Sequence, residues 1–143
     1  RKAGYRSVRT AEVGSVRGPA DLVLVDAPCT GTGALRRRPW TRWSVHAGDL
    51  QRLTGLQSEI LQRASGWVGP GGRLVYATCS LLTEENDDVV TAFLRRNDGW
   101  VLQPSAETLG AARADEIGGS GVLRLYPHIH GTDGFYAAVL RKS

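Results

Sequence analysis

At 143 residues, with 41% hydrophobic and 22% charged side chains, the chain has the size and composition of one folded domain, which excludes a disordered or low-complexity segment. No apolar run nears the roughly 18 residues of a membrane helix and no signal peptide opens the sequence, so a cytoplasmic protein that stays out of the membrane is expected. The formal charge of +4 is uneven: residues 1–63 hold 11 Lys and Arg against 5 Asp and Glu, and residues 64–143 hold 7 against 9, which points to a polyanionic partner for the first half.

Ser7–Thr10 reads as a short strand. Asp21–Asp26 (DLVLVD) is an apolar run bounded by aspartates, as expected of a central strand buried on both faces. From Gly48 to Trp67 the residues Leu50, Leu53, Leu56, Ile60, Leu61, Ala64 and Trp67 make one stripe at helical spacing. Gly69-Pro70-Gly71-Gly72 stops that helix and turns the chain into a second buried strand, Arg73–Thr78. Thr83 reads as an N-cap, with Glu84 and Glu85 in the first helical turn where the dipole favours anions, and the helix runs to Arg96 burying Val89, Val90, Phe93 and Leu94. Trp100–Gln103 and Phe135–Arg141 read as strands pairing in an antiparallel edge, with an irregular glycine-rich loop from Gly110 to Gly121 between them.

The alternation of strands and helices predicts an α/β fold with a parallel sheet. The strand, glycine-rich turn and helix that open a nucleotide-binding fold of this type are missing: Gly31-Thr32-Gly33 lacks a third glycine, and Gly69–Gly72 precedes its strand. Residues 1–5 resemble the end of a helix, so a fragment of a larger domain is expected.

Each buried strand ends in a cysteine motif, Asp26-Ala27-Pro28-Cys29 after the first and Thr78-Cys79-Ser80 after the second. Two strands joined by one crossover helix run parallel, and neighbours in a sheet lie about 4.8 Å apart. Asp26, Cys29 and Cys79 should therefore rim one crevice at the carboxyl edge, where open α/β sheets bind ligands. On counting alone the two cysteines also allow a disulfide, which a cytosolic setting disfavours. Arg36, Arg37, Arg38 and Arg42 follow the first motif and are candidates for phosphate contact. Trp40 and Trp43 are candidates for base stacking or for packing on their own domain. His128-Ile129-His130 puts two imidazoles on one side of a strand, but no third ligand is suitably spaced and no metal is expected.

DAPCTGTG (Asp26–Gly33), LQSEIL (Leu56–Leu61), GGRLVYATCSLLTEEN (Gly71–Asn86) and HGTDGFYAAVL (His130–Leu140) resemble the RNA cytosine-C5 methyltransferases, in particular the bacterial ribosomal RNA small subunit methyltransferase B type. The likeness covers almost the whole chain and is weakest from Ser105 to Gly121. It implies a class I, Rossmann-like methyltransferase sheet with helices on both faces, of which residues 1–143 are the C-terminal portion. It implies S-adenosylmethionine as cofactor and RNA, ribosomal rather than transfer, as substrate. Cys79 would attack cytosine C6 and make C5 electron-rich, and Cys29 would help break the adduct by assisting loss of the C5 proton. Asp26 would lie beside cofactor and base. Glu12 stands where the family usually has an aspartate near the cofactor's adenine, with the same charge on a longer arm. Asp133-Gly134-Phe135 matches a motif near the base pocket, although Gly134 is equally explained as a turn into a strand.

Three other readings share these residues. The chain alone is a non-catalytic RNA-binding or folding module; the fold methylates an exocyclic amine, against which Ala27 and Cys29 stand in place of the expected aromatic; or the cysteine pair is redox-active.

Overall fold

The apolar run after Pro19 forms β1 (Ala20–Asp26), and the crossover that follows contains the short helix α1 (Thr41–Ser44) and the long helix α2 (Asp49–Ser65). A computed structural model describes residues 9–16, 18–117 and 121–143 of the chain. After α2 come β2 (Val68–Thr78), a 3-10 turn at Thr83–Glu85, α3 (Asp87–Arg96) and β3 (Trp100–Gln103). The chain ends with α4 (Ser105–Leu109), α5 (Ala111–Ile117), β4 (Leu123–Leu125), α6 (Pro127–His130) and β5 (Phe135–Lys142).

The α/β architecture is the expected one. β1 and β2 are adjacent and parallel, with Val25 beside Tyr76 and Asp26 beside Ala77, so both cysteine motifs leave the same edge of the sheet. β5 lies antiparallel against the other side of β2, pairing Tyr76 with Ala138 and Thr78 with Tyr136. The antiparallel pairing of Trp100–Gln103 with the last strand is present, but the two are not a hairpin. β5 is interior, and the outer edge consists of β3 and β4 laid along successive parts of it.

One face of this sheet makes the core. Side chains alternate along a strand, which puts Leu74, Tyr76, Ala138 and Leu140 on the face covered by Leu61 and Ala64 of α2 and by Val89, Val90 and Phe93 of α3. The Tyr76 and Tyr136 rings meet edge-on at 6.4 Å, and Phe93 meets Trp100 edge-on at 5.5 Å. On the opposite face, Leu22 and Leu24 are 52% and 66% exposed, so β1 is not buried on both faces as its composition predicts. Helices thus cover one face of β1, and the other is open among the described residues.

Several local expectations need correction. Pairing between β1 and β2 jumps from Ala20 with Val68 to Leu22 with Arg73, so the glycine segment bulges within β2 instead of preceding it. Gly71 takes a φ of 71° there, a conformation a side chain would strain. Thr83 does not cap a helix: the 3-10 turn begins after Leu82, and the residue before α3 is Asn86. Gly110–Gly121 is no irregular loop, since α5 occupies residues 111–117; residues 118–120 lie outside the described part. His128 and His130 sit in α6, a helix, not on a strand. Of the strand read at Ser7–Thr10, residues 7–8 lie outside the described part and Arg9 and Thr10 are not extended in a sheet; the helix end read at residues 1–5 also lies outside it.

Candidate active site

Strand pairing continues past Asp26, where the Ala27 N–H donates to the Ala77 carbonyl at 2.9 Å and aligns the two exits. Three residues beyond Asp26 and one beyond Thr78, the Cys29 and Cys79 sulfurs stand 3.4 Å apart, both half-buried. They are free thiols sharing a hydrogen bond, with either sulfur able to donate. That shared proton is the main cause of a divided pair: Cys29 is pushed far up, and Cys79 is held down at about 6. Burial works against the Cys79 thiolate, and so does the Asp26 carboxylate; the Arg38 guanidinium works for it. An ordinary thiol ionises near pH 8.5, so at neutral pH the pair favours the thiolate on Cys79 and the proton on Cys29.

A third strand end closes the site. The Gly33 N–H donates to the Cys79 carbonyl at 2.9 Å, and the Gly134 N–H donates to the Gly33 carbonyl at 2.9 Å. A Cβ on Gly33 would sit 2.9 Å from the Cys79 carbonyl oxygen and closer still to the Gly134 carbonyl. Gly134 is therefore a close-approach glycine, not one chosen for a turn, and it brings Asp133 to the rim.

Asp133 explains part of the basic run. Arg37 donates to its carboxylate at 2.6 Å and Arg36 lies 3.7 Å from it, while Arg42 stacks over the Trp43 ring at 4.5 Å. Trp40 and Trp43 are 60% and 68% exposed, so they do not pack inside their own domain among the described residues. Asp26 is exposed at the end of β1. Glu12 is exposed beside the 3-10 turn Val13–Ser15, where its carbonyl accepts from Ser15; its carboxylate bonds none of the described residues. His130 is engaged by backbone, accepting at Nδ1 from the Tyr126 N–H at 2.9 Å.

Sequence reasoning missed three buried polar residues. Glu85, read as a dipole-facing acid, is 0% exposed and accepts from the Thr30 N–H at 2.9 Å, from Thr30 Oγ1 at 2.6 Å and from Gln57 Nε2 at 3.0 Å. Gln57, also fully buried, donates as well to the Pro28 carbonyl at 2.9 Å. The one signal available was a glutamine placed between Leu53 and Leu61 on the apolar side of α2. Asn86 is buried too, accepting from Thr78 Oγ1 at 2.6 Å and donating to the Ser80 carbonyl at 3.0 Å.

Known proteins resemble this chain in sequence and fold. The chain is 44% identical over 124 residues to a putative methyltransferase of Mycobacterium tuberculosis (strain H37Rv), covering 85% of this chain and 26% of that protein. It is 39% identical over 128 residues to the ribosomal RNA small subunit methyltransferase B of Shewanella oneidensis, covering 86% and 27%. The crystal structure of NSun6 from Pyrococcus horikoshii with SFG superposes with a TM-score of 0.71 at 35% identity, over 87% of this chain and 30% of that one. The chain thus spans about a quarter of the length of the curated relatives it matches. With the profile of that family matching residues 7–141, the chain belongs to the 16S rRNA methyltransferase RsmB/F family.

Proposed function

We propose that the protein carrying this chain methylates C5 of a cytosine in RNA, with ribosomal RNA as the substrate, and that residues 1–143 form the cysteine-bearing C-terminal part of its methyltransferase domain. The observation that carries the reading is the pair of free thiols 3.4 Å apart, one held at about 6 and the other pushed up.

C5 of cytosine is a weak nucleophile. The Cys79 thiolate adds to C6, forming an S–C6 bond and moving the ring's electron pair onto C5. S-adenosylmethionine, when bound, supplies the electrophilic methyl group. After methyl transfer C5 carries both the methyl and its original proton. Once Cys79 is bonded to C6 it no longer holds the Cys29 proton, and Cys29 gives that proton to solvent. As thiolate it then takes the C5 proton, the C5–H electron pair rebuilds the ring double bond and the C6–S bond breaks, returning Cys79 as thiolate. Cys29 thus ends the turnover as a thiol beside a Cys79 thiolate, as it began, and the one proton released is the one it gave to solvent.

The residues present fit part of such a cofactor. Asp26 is an exposed carboxylate at the carboxyl end of β1 and can accept from a ligand hydroxyl or from the amine edge of cytosine. Glu12 is exposed and can accept from an adenine amine or ribose. A family relative solved with SFG, an S-adenosylmethionine analogue, supports the assignment. Arg38 and Arg42 make no ion pair among the described residues and are assigned to RNA phosphates, with Arg36 and Arg37 reaching them only by leaving Asp133. The target base must leave its stack to reach Cys79.

The test is methyl transfer from labelled S-adenosylmethionine to RNA by protein purified from its full reading frame, followed by nucleoside analysis. Label in 5-methylcytidine, lost in Cys79→Ala, is the expected result. Label in a methylated exocyclic amine, or 5-methylcytidine persisting in Cys79→Ala, contradicts the reading.

A further inference from the structure

The buried polar side chains behind the thiols are arranged in two clamps. Glu85 and Gln57 hold both neighbours of Cys29: the Thr30 N–H and hydroxyl donate to Glu85, and the Pro28 carbonyl accepts from Gln57. Asn86 holds both neighbours of Cys79, through Thr78 Oγ1 and the Ser80 carbonyl. The clamps come from successive residues whose Cα atoms are about 3.8 Å apart, so the Glu85–Asn86 peptide fixes one cysteine loop against the other. Tyr76 Oη donates to the Glu85 carbonyl at 2.6 Å and anchors that peptide to the middle of β2.

Packing alone does not explain these residues. Burying amide and carboxylate groups is unfavourable unless they are hydrogen-bonded, and Gln57 Oε1 is buried with no partner. A leucine at position 57 would continue the apolar stripe of α2 without that orphan. The carboxylate suits its site: one oxygen takes the Thr30 N–H and the Gln57 amide and the other takes the Thr30 hydroxyl.

We propose that Glu85 is a positioning residue for Cys29. It touches neither substrate nor cofactor; through Thr30 and Gln57 it sets the Cys29 sulfur against Cys79 and so governs the release step. The inference rests on the reading of Cys29 as the releasing group, and its test separates the two. Full-length protein is treated with dibromobimane, which bridges two neighbouring thiols as each thiolate displaces one bromide. The bridging rate reads thiol separation with no RNA present. In parallel, RNA-linked protein surviving denaturation reads release.

Glu85→Ala, folded by circular dichroism, is expected to bridge more slowly, by up to about a hundredfold, the loss that a misplacement near 1 Å can cause in a reaction of positioned groups. It is also expected to accumulate RNA adduct towards the level of Cys29→Ala. Glu85→Gln, which keeps one acceptor oxygen in place, should recover most of the bridging rate. If Glu85→Ala does not fold, the Thr30→Val/Gln57→Leu double variant removes three of the four clamp bonds while leaving Glu85 and carries the same expectations. Bridging at the wild-type rate in a folded variant overturns the inference. Slowed bridging with no adduct in any variant, Cys29→Ala included, supports the positioning role and overturns the release chemistry instead.

Discussion

A thiol alkylates through its thiolate, so the pH at which Cys79 begins to react reads its surroundings. The thiolate is the form present above the pKa, and for Cys79 that value is about 6. Iodoacetamide labelling of Cys79 should therefore rise through a midpoint near pH 6, well below the roughly 8.5 of a free cysteine. The largest cause is the hydrogen bond from Cys29. Removing it in Cys29→Ala should move the midpoint up towards the ordinary value, the Arg38 guanidinium opposing only weakly. An unchanged midpoint in that variant would mean that another group holds the thiolate. Sequence reasoning reached both thiols because each sits just past a strand whose partner is fixed by one crossover. It did not reach Glu85, since an acid beside Glu84 after a Thr resembles any helix start. What makes Glu85 different is the burial conferred by α2 crossing above it, and no local pattern encodes that.

At the scale of elements, the site is three loop ends brought together through backbone contacts at Gly33 and Gly134. Gly33→Ala places a methyl against two carbonyl oxygens, those of Cys79 and Gly134, and both belong to backbone that cannot swing away. Overpacking of this kind costs about 1–3 kcal/mol, read as a lower urea midpoint with unchanged slope. Wild-type stability for Gly33→Ala would contradict the close approach. Leu74→Ala, in the middle of β2 and wholly buried between α2 and the sheet, should cost more, about 2–5 kcal/mol. Apart from the short α1, the order of elements up to β3 was legible, because β1 and β2 are continuous apolar runs and α2 keeps a stripe at 3.6-residue spacing. The C-terminal third was not. Helix α5 is built largely of alanine and charge and shows no broad apolar stripe, so its sequence resembles a loop. β5 looked like part of an edge pair, because pairing partners far apart in sequence leave no local mark. Its insertion between β2 and β3 is decided by the alternating Tyr136, Ala138 and Leu140, which complete the core face.

Across the whole molecule, charge and exposure point the same way. The basic half of the chain carries the loop with Arg36–Arg38, Arg42 and the two exposed tryptophans, and this loop leaves the strand end that bears Cys29. Affinity for single-stranded RNA should fall with salt, the slope dropping by about 0.7 for each phosphate contact removed. Arg38→Ala/Arg42→Ala should flatten that slope by more than one, whereas Arg37→Ala, already paired to Asp133, should change it less. Equal effects would argue against the assignment of these arginines. Under the proposed function, the two thiols share one covalent reaction. A denaturing gel of full-length Cys29→Ala protein expressed in cells reads that reaction at its trapped stage. A slower-migrating band that RNase removes and that is missing from the Cys29→Ala/Cys79→Ala double variant is expected, because attack survives while release fails. Soluble, folded Cys29→Ala protein with intact cellular RNA and no such band would contradict the proposed function.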